Sequence, residues 1–244
     1  MTSSNTQEKP LAVVAGASGA IGTAVAHQLA AAEWDVIGTF HLHRPAPHPG
    51  IRWVPFDGAD EDSLNELHAT LDSDARPVQA VISCIGAPSS KRRIADTDAD
   101  EFDAVFMINV TAVVRLWQAV CKRARLGAAG VVLLGSGTTA TLRPGNGAYS
   151  AAKAGLEALA VTLAAEEAEH GVRVNLVAPS LTASPLAESV LALKGVTNIE
   201  EYYRTLPWGR PLSVAEVAAV AVEIASAPHW RYASGQVVRL AVHG

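Results

Sequence analysis

A chain of 244 residues with a net charge of −5, 49% hydrophobic and 18% charged, carries enough apolar sequence for a full core and excludes a disordered chain. The mildly acidic, scattered charge argues against nucleic acid as the main partner. Cys84 and Cys121 form no CxxC pair and read as reduced thiols. The polar start MTSSNTQEKP lacks the apolar core of a signal peptide, and no run reads as approaching the ~18 apolar residues of a membrane helix. The expectation is a cytoplasmic protein with no membrane partner.

Strand-like and helix-like segments then alternate along the chain. Leu11 to Ala15 is a short apolar run, a buried strand ending in glycines, and Ile21 to Ala32 is helical. Trp34 to Phe40 and Ile51 to Phe56 read as strands, and Asp60 to Asp72 as an amphipathic helix. Val78 to Ser83 is a strand, Ala99 to Arg125 a long helix, Val131 to Leu134 a strand, and Ala148 to His170 an alanine-rich helix. Val172 to Val177, a loop and helix region to about Leu212, a helix over Ser213 to Ala227 and a strand at Gln236 to Leu240 complete it. Continuous apolar strands separated by helices predict a parallel sheet covered on both faces. The fold class is α/β. The chain reads as a single domain over residues 1–244 with a polar N-terminal extension over 1–9.

Between the first strand and its helix stands Gly16-Ala17-Ser18-Gly19-Ala20-Ile21-Gly22. Glycines there let backbone approach a pyrophosphate, whose charge suits the helix N-terminus. A plain tight turn is the other reading. A P-loop GxxxxGK[ST] is absent, which disfavours a P-loop nucleotidase. At the end of the second strand a carboxylate would select NAD, and a cation would accept the 2′-phosphate of NADP. The chain has His41, His43 and Arg44 there and no acid, which favours NADP over NAD. Two other readings of His41, His43 and His48 remain, a metal cluster and a solvated loop. No carboxylate or further histidine lies near enough in sequence to complete a metal site, so no metal is expected.

The glycine turn, Asp57, Asn109, Ser136, Tyr149-x-x-x-Lys153 and Arg173-Val174-Asn175-Leu176-Val177-Ala178-Pro179 together resemble the short-chain dehydrogenase/reductase family. The likeness is to its compact single-domain branch and, through "VIGT" and "GRPLSVAEVA", to 3-oxoacyl-carrier-protein reductase-like members. It runs from about Leu11 to Val242. A YxxxK alone is common, but a serine thirteen residues before the tyrosine makes the combination specific. The resemblance implies a Rossmann-type, doubly wound parallel sheet of seven strands and NADP or NAD as cofactor. It implies Ser136, Tyr149 and Lys153 as the catalytic set, supported by Asn109 holding a water that links Lys153 to solvent. The turn residues Gly16, Ser18, Gly19, Ala20, Ile21 and Gly22 would hold the cofactor. By the same resemblance Asp57 contacts adenine, and Cys84, Ile85 and Gly86 line the adenosine side. Pro179, Ser180, Thr182 and Ser184 meet the nicotinamide end. It also implies a homotetramer or homodimer packed through the two long helices.

Four residues is slightly more than one helical turn, so Tyr149 and Lys153 share a face. A phenol with a pKa of about 10 needs a nearby cation to ionise easily, and Lys153 is placed to supply one. Tyr149 can then act as acid or base at a carbonyl or alcohol oxygen, with Ser136 bonding the same oxygen. Their bland readings are a core tyrosine, a solvated lysine and a turn serine, with Thr138 and Thr139 as alternative hydroxyls. Asn109 falls on the apolar stripe Phe102, Val105, Phe106, Val113, Leu116 and Val120, and a self-satisfied core amide is its bland reading.

The sequence departs from the family pattern in several places. Ala15 and Ala20 replace a threonine and a glycine, and position 19 lacks the arginine of many NADP-dependent members. Ser83-Cys84-Ile85-Gly86 stands for NNAG, Ser180 for a glycine and Ser184 for a threonine, and the end reads Ala241-Val242-His243-Gly244. Residues 181–211 should cover the substrate. Leu186, Leu191, Leu193, Tyr202, Tyr203, Leu206 and Trp208 suggest an apolar or aromatic carbonyl or alcohol, unless they pack a lid. Lys91-Arg92-Arg93 reads as a solvated loop or as a lure for an acidic carrier or phosphopantetheine. The leading expectation is an NADP(H)-dependent interconversion of a ketone and a secondary alcohol. The alternatives are an NAD-linked alcohol dehydrogenase, a non-catalytic dinucleotide-binding sensor or scaffold, and an isomerase or epimerase with tightly held cofactor.

Overall fold

A computed structural model describes residues 8–206 and 208–240. Most of the expected N-terminal extension, residues 1–7, and the end over 241–244 lie outside the described residues. In chain order, β1 (Leu11–Ala15) leads into α1 (Ala20–Ala31), followed by β2 (Asp35–Phe40), β3 (Ile51–Pro55), α2 (Glu61–Asp74) and β4 (Val78–Ser83). Then come α3 (Ala99–Phe106) and α4 (Ala112–Leu126), joined by a π-helical turn over Met107–Thr111. Next are β5 (Gly130–Leu134), the short α5 (Thr138–Thr141), α6 (Gly147–Glu166) and β6 (Arg173–Pro179). Last are β7 (Thr182–Ala183), α7 (Pro185–Leu193), α8 (Ile199–Arg204), β8 (Leu212–Ser213), α9 (Val214–Ser226) and β9 (Val237–Leu240).

Seven strands form one sheet in the order β3-β2-β1-β4-β5-β6-β9. Every pairing in it is parallel. The expected doubly wound architecture is therefore present. β1 and β5 are buried along their whole length, because parallel strands here are covered on both faces. On one face α1 and α9 bury Val25, Leu29, Val217 and Ile224 against Val14 and Ile82. On the other, α2, α4 and α6 bury Leu67, Leu116 and Leu156 against Val13 and Val81. Strand order reverses beside β1, where β2 lies on one side and β4 on the other. In open α/β sheets that reversal opens a crevice at the strands' carboxyl ends. The minor pair β7–β8 is also parallel, Thr182 against Leu212 and Ala183 against Ser213, and ties residues 181–213 over that crevice.

Local chemistry sets the helix starts. Asp60 caps α2 by accepting from Asp62 and Ser63 N–H, and Ser213 with Glu216 forms a capping box on α9. Arg125 and the buried Glu167 form a two-pronged pair at 2.8 Å, closing the end of α4 onto the end of α6.

Two expectations change. The long helix is not uniform, because the π turn inserts at Asn109 and leaves Phe106 38% exposed, off the expected apolar stripe. Contrary to the expected lack of apolar runs, Ala99–Leu126 is long and apolar enough to cross a membrane, by length and composition, with a window of mean hydropathy 1.6. In the fold, its Val105, Val113, Leu116 and Val120 are buried. They serve as packing for the sheet and for α6.

Candidate active site

The nucleotide end is built by the turn after β1. Gly16 has φ +70°, a left-handed conformation that favours glycine. Its N–H donates to Thr39 Oγ1 at 3.0 Å, and Ala17 N–H donates to Thr39 O at 2.8 Å, so β2 holds the turn from beside it. Sequence reasoning passed over Thr39. Its trace is a hydroxyl in an otherwise apolar strand. A Cβ on Gly22 would stand 2.1 Å from Gly16 O, whereas one on Gly19 would sit at an ordinary 3.4 Å from the same oxygen. Helix α1 starts at Ala20 with no side-chain cap and no acid in its first turn. Its open N–H groups and dipole suit a phosphate. Ala20 is exposed there and blocks nothing buried. These features fit a dinucleotide's diphosphate. Gly22→Ala is expected to weaken dinucleotide binding by about tenfold or more and to cost ~1–3 kcal/mol of stability, as overpacking does. Gly19→Ala should change neither much. Nicotinamide fluorescence titration and a thermal melt on both variants check this.

At the end of β2 the expected cations divide. His41 Nε2 lies 3.2 Å from Asp57 Oδ2. Asp57 also accepts from Ala59 N–H at 2.8 Å, and that bond chiefly holds its carboxyl below the usual range, with His41 adding to the effect. His43 and Arg44 are exposed, with no ion pair among the described residues. His48 stacks on His27 with ring centroids 4.8 Å apart. The three histidines therefore do not converge.

The reacting end gathers at the carboxyl ends of β4, β5 and β6. Cys84, Ile85, Gly86, Ser136, Thr138, Tyr149, Lys153, Pro179, Ser180, Thr182 and Ser184 line one cleft of about 370 Å³, with Ile21 reaching it from α1. Thr139 turns away to Glu157 at 2.5 Å. Ser136 Oγ and Thr138 Oγ1 are 3.1 Å apart. Burial pushes the Tyr149 phenol above its ordinary value, and a hydrogen bond with Ser136 opposes the shift. This corrects the expectation that Lys153 depresses it. The Lys153 ammonium lies 5.8 Å from the ring centroid and donates to Leu134 O at 3.0 Å. Its own pKa falls to about 8 through desolvation.

Asn109 explains the π turn. Its side-chain amide donates to Ala87 O at 3.0 Å and Val105 O at 2.9 Å, while its buried Oδ1 has no partner among the described residues. A Cβ on Gly86 would fall 3.1 Å from both Asn109 Oδ1 and Lys153 Nζ. Glycine at 86 thus keeps open the space between an unpartnered acceptor and an ammonium. That arrangement suits the expected water link.

The covering segment is sorted by the structure. Leu186, Tyr202, Leu206 and Trp208 line the cleft. Leu191 is fully buried in the core and Leu193 is 62% exposed, so neither belongs to a substrate wall. Tyr203 also stands off the cleft lining. Ser184 accepts from Ala187 N–H as the cap of α7, and Thr182 Oγ1 donates to Ser180 O at 3.2 Å. The Ser184 hydroxyl only accepts in that bond and keeps its own O–H to donate toward the cleft it lines. Cys84 is a free thiol pushed up to about 12 by burial, so it is no nucleophile.

Comparison with known proteins agrees with this geometry. Residues 15–240 match the family described as enoyl-(acyl carrier protein) reductase. An uncharacterized short-chain type dehydrogenase/reductase of Sinorhizobium fredii is 29% identical over 88% of this chain, which spans 40% of that relative's length. The human (3R)-3-hydroxyacyl-CoA dehydrogenase is 28% identical over 88% of this chain and 89% of its own. In fold, the aldohexose dehydrogenase of Thermoplasma acidophilum superposes with a TM-score of 0.86 at 18% identity, over 96% of this chain and 92% of its own. With the matched family spanning the glycine turn, the tyrosine–lysine pair and the strands between them, this chain belongs to the short-chain dehydrogenase/reductase family, oxidoreductases that use NAD(P) on CH–OH and carbonyl groups.

Proposed function

We propose that the protein is an NADP(H)-dependent reductase of a ketone to a secondary alcohol, with Tyr149 as the acid. The observation that carries this reading is the cleft wall itself. A neutral, buried Tyr149 bonded to Ser136 is backed by Lys153 and Asn109, beside a glycine turn open to a diphosphate. Gly16 to Gly22 would hold the diphosphate, Asp57 and the cations after β2 the adenosine side, and Thr182 with Pro179 the nicotinamide side. A reduced nicotinamide, when bound, supplies the hydride. Tyr149 gives its phenolic proton to the carbonyl oxygen as negative charge develops there, and Ser136 donates a hydrogen bond to the same oxygen. The Lys153 ammonium then stabilises the phenolate left behind. Burial holds the Tyr149 phenol above its ordinary value, so near neutral pH it carries the proton that the reductive direction uses.

The preference for NADP rests on Arg44, His43 and His41, with no acid in the chain from Gly38 to Arg44 to meet the ribose. His41 is committed to Asp57, which leaves Arg44 as the stronger cation. NADPH should bind more tightly than NADH by about tenfold, the worth of one charged hydrogen bond. Arg44→Ala should remove that difference while leaving NADH unchanged. Fluorescence titration of both nucleotides decides it, and tighter NADH binding in the unaltered protein would overturn the NADP assignment.

A further inference from the structure

The cleft lining is lopsided in charge. Among the described residues it carries Lys91, Arg143, Lys153, Lys194 and Arg210 and not one aspartate or glutamate, in a chain whose net charge is −5. Two of these cations are accounted for. Lys153 belongs to the reacting set, and Arg210 forms a pair with Glu216 at 2.6 Å. The other three, Lys91, Arg143 and Lys194, have no acidic partner within 4.0 Å among the described residues, and they come from three separate segments. Lys91 follows β4, Arg143 follows α5, and Lys194 is the C-cap of α7. They are close enough to feel one another. Desolvation lowers the Lys91 pKa, with Lys194 adding repulsion, and desolvation lowers Lys194, with Arg143 adding repulsion.

Lys91 is also held in place. It has φ +66°, which a lysine adopts at a cost. A Cβ on Gly145 would strike Lys91 O at 2.7 Å, so the loop before α6 closes onto it only as glycine. Its ammonium donates to Asn146 Oδ1, an amide 8% exposed, and sits 5.9 Å from the Tyr149 ring centroid. Like charges brought together against a reacting tyrosine are unfavourable unless something negative joins them.

We propose that the substrate carries an anionic group, a carboxylate or a phosphate ester, bound by Lys91, Arg143 and Lys194 within a few bonds of the carbonyl presented to Tyr149. The apolar remainder of the substrate lies against Leu186, Tyr202 and Leu206 on the covering segment. This rests on the proposed reductase reading for the carbonyl, but not for the anion. The cofactor's diphosphate has its own place at the uncapped start of α1, a different element from the three segments that carry these cations.

The test separates the two. The full chain, with and without saturating NADP+, is titrated calorimetrically with phenylacetate, 3-phenylpropanoate and 4-phenylbutanoate, each against its neutral amide, and with phenyl phosphate. None of these can be reduced, so the result does not depend on turnover. At least one anion is expected to bind about tenfold more tightly than its amide, or, for phenyl phosphate, than every amide. Lys91→Met and Arg143→Gln should each remove most of that margin, with thermal melts showing a folded protein. NADPH affinity should stay unchanged in both. A carboxylate preference assigns an oxo acid, and a phosphate preference assigns a phosphate ester. No anion exceeding the amides by about threefold overturns the proposal. So does a loss in the variants that falls on NADPH instead of the anions, because the cluster then serves the cofactor. Failure of the protein to bind either nicotinamide nucleotide, with the anion margin intact, would count against the reductase reading alone.

Discussion

Replacing Tyr149 with phenylalanine is expected to lower reductive kcat/KM by roughly 10²–10⁴-fold, the usual worth of a positioned general acid. Nucleotide affinity should move by less than about twofold. The change removes one oxygen and keeps the ring, so the packing beside Lys91 and Lys153, 5.9 and 5.8 Å from the ring centroid, is retained. What disappears is the proton donor and the partner of Ser136. The loss should fall on kcat rather than KM, because proton transfer develops in the transition state and contributes little to holding the ground state. Steady-state kinetics with a reducible carbonyl, paired with fluorescence titration of NADPH, separates the two. If activity survives within about tenfold, another group delivers the proton. Lys91, on the same ring, is then the first to substitute. If nucleotide binding collapses instead, Tyr149 serves the cofactor more than the chemistry. A non-catalytic sensor on this fold should show no carbonyl turnover even before the substitution.

The sheet was legible because a parallel strand buried on both faces has no alternative to an apolar run. Leu11–Ala15 and Val78–Ser83 could hardly be anything else. The glycine turn and the Tyr149–Lys153 pair were legible because backbone geometry fixes their spacing. The sign of the Tyr149 shift was not. Spacing places a lysine one turn away, but it does not show that the phenol is buried and that the ammonium spends a hydrogen bond on Leu134 O. The π turn was half visible, since an asparagine on an apolar stripe is out of place, but the reason lies in Ala87 O and the space kept by Gly86. Leu191 and Leu186 look alike in sequence. Only the docking of α7 sends one into the core and the other to the cleft. Lys91 was read within a basic run. Its neighbours behave as that reading expects, with Arg92 near Asp98 at 3.5 Å and Arg93 exposed. What separates Lys91 from them is a left-handed backbone and a glycine fifty-four residues on, a long-range fact that no local pattern carries.

Lys153→Met is expected to abolish turnover and yet make the protein more stable at neutral pH. The ammonium is fully buried and its pKa drops from 10.5 to about 8. A base whose folded pKa lies below its unfolded value binds fewer protons when folded, so stability rises with pH between the two. Below about pH 8 the whole cost of burying the charge is present. That shift corresponds to ~3–4 kcal/mol, less ~1.5 kcal/mol for the charged hydrogen bond to Leu134 O that methionine gives up. A net gain of ~2 kcal/mol should raise Tm by roughly 4–8 °C in a domain of this size. The gain should shrink as pH climbs from about 8 toward 10.5 and be gone above it, where the wild-type lysine is neutral in both states. Activity should follow the same proton. Wild-type reduction should decline above pH 8 or so as the ammonium is lost, while Tyr149, held above its ordinary value, still keeps its own proton there. Lys153→Arg, whose guanidinium does not deprotonate in this range, should lose that decline if it turns over at all. Melts of wild type and Lys153→Met at pH 7 and pH 10, beside the pH–rate profiles, test both halves. A Lys153→Met protein less stable at pH 7 would mean that the cleft already satisfies the buried charge. In that case the decline near pH 8 should be missing from the wild type as well, and the phenolate left on Tyr149 would be stabilised by Ser136 without help from a titrating lysine.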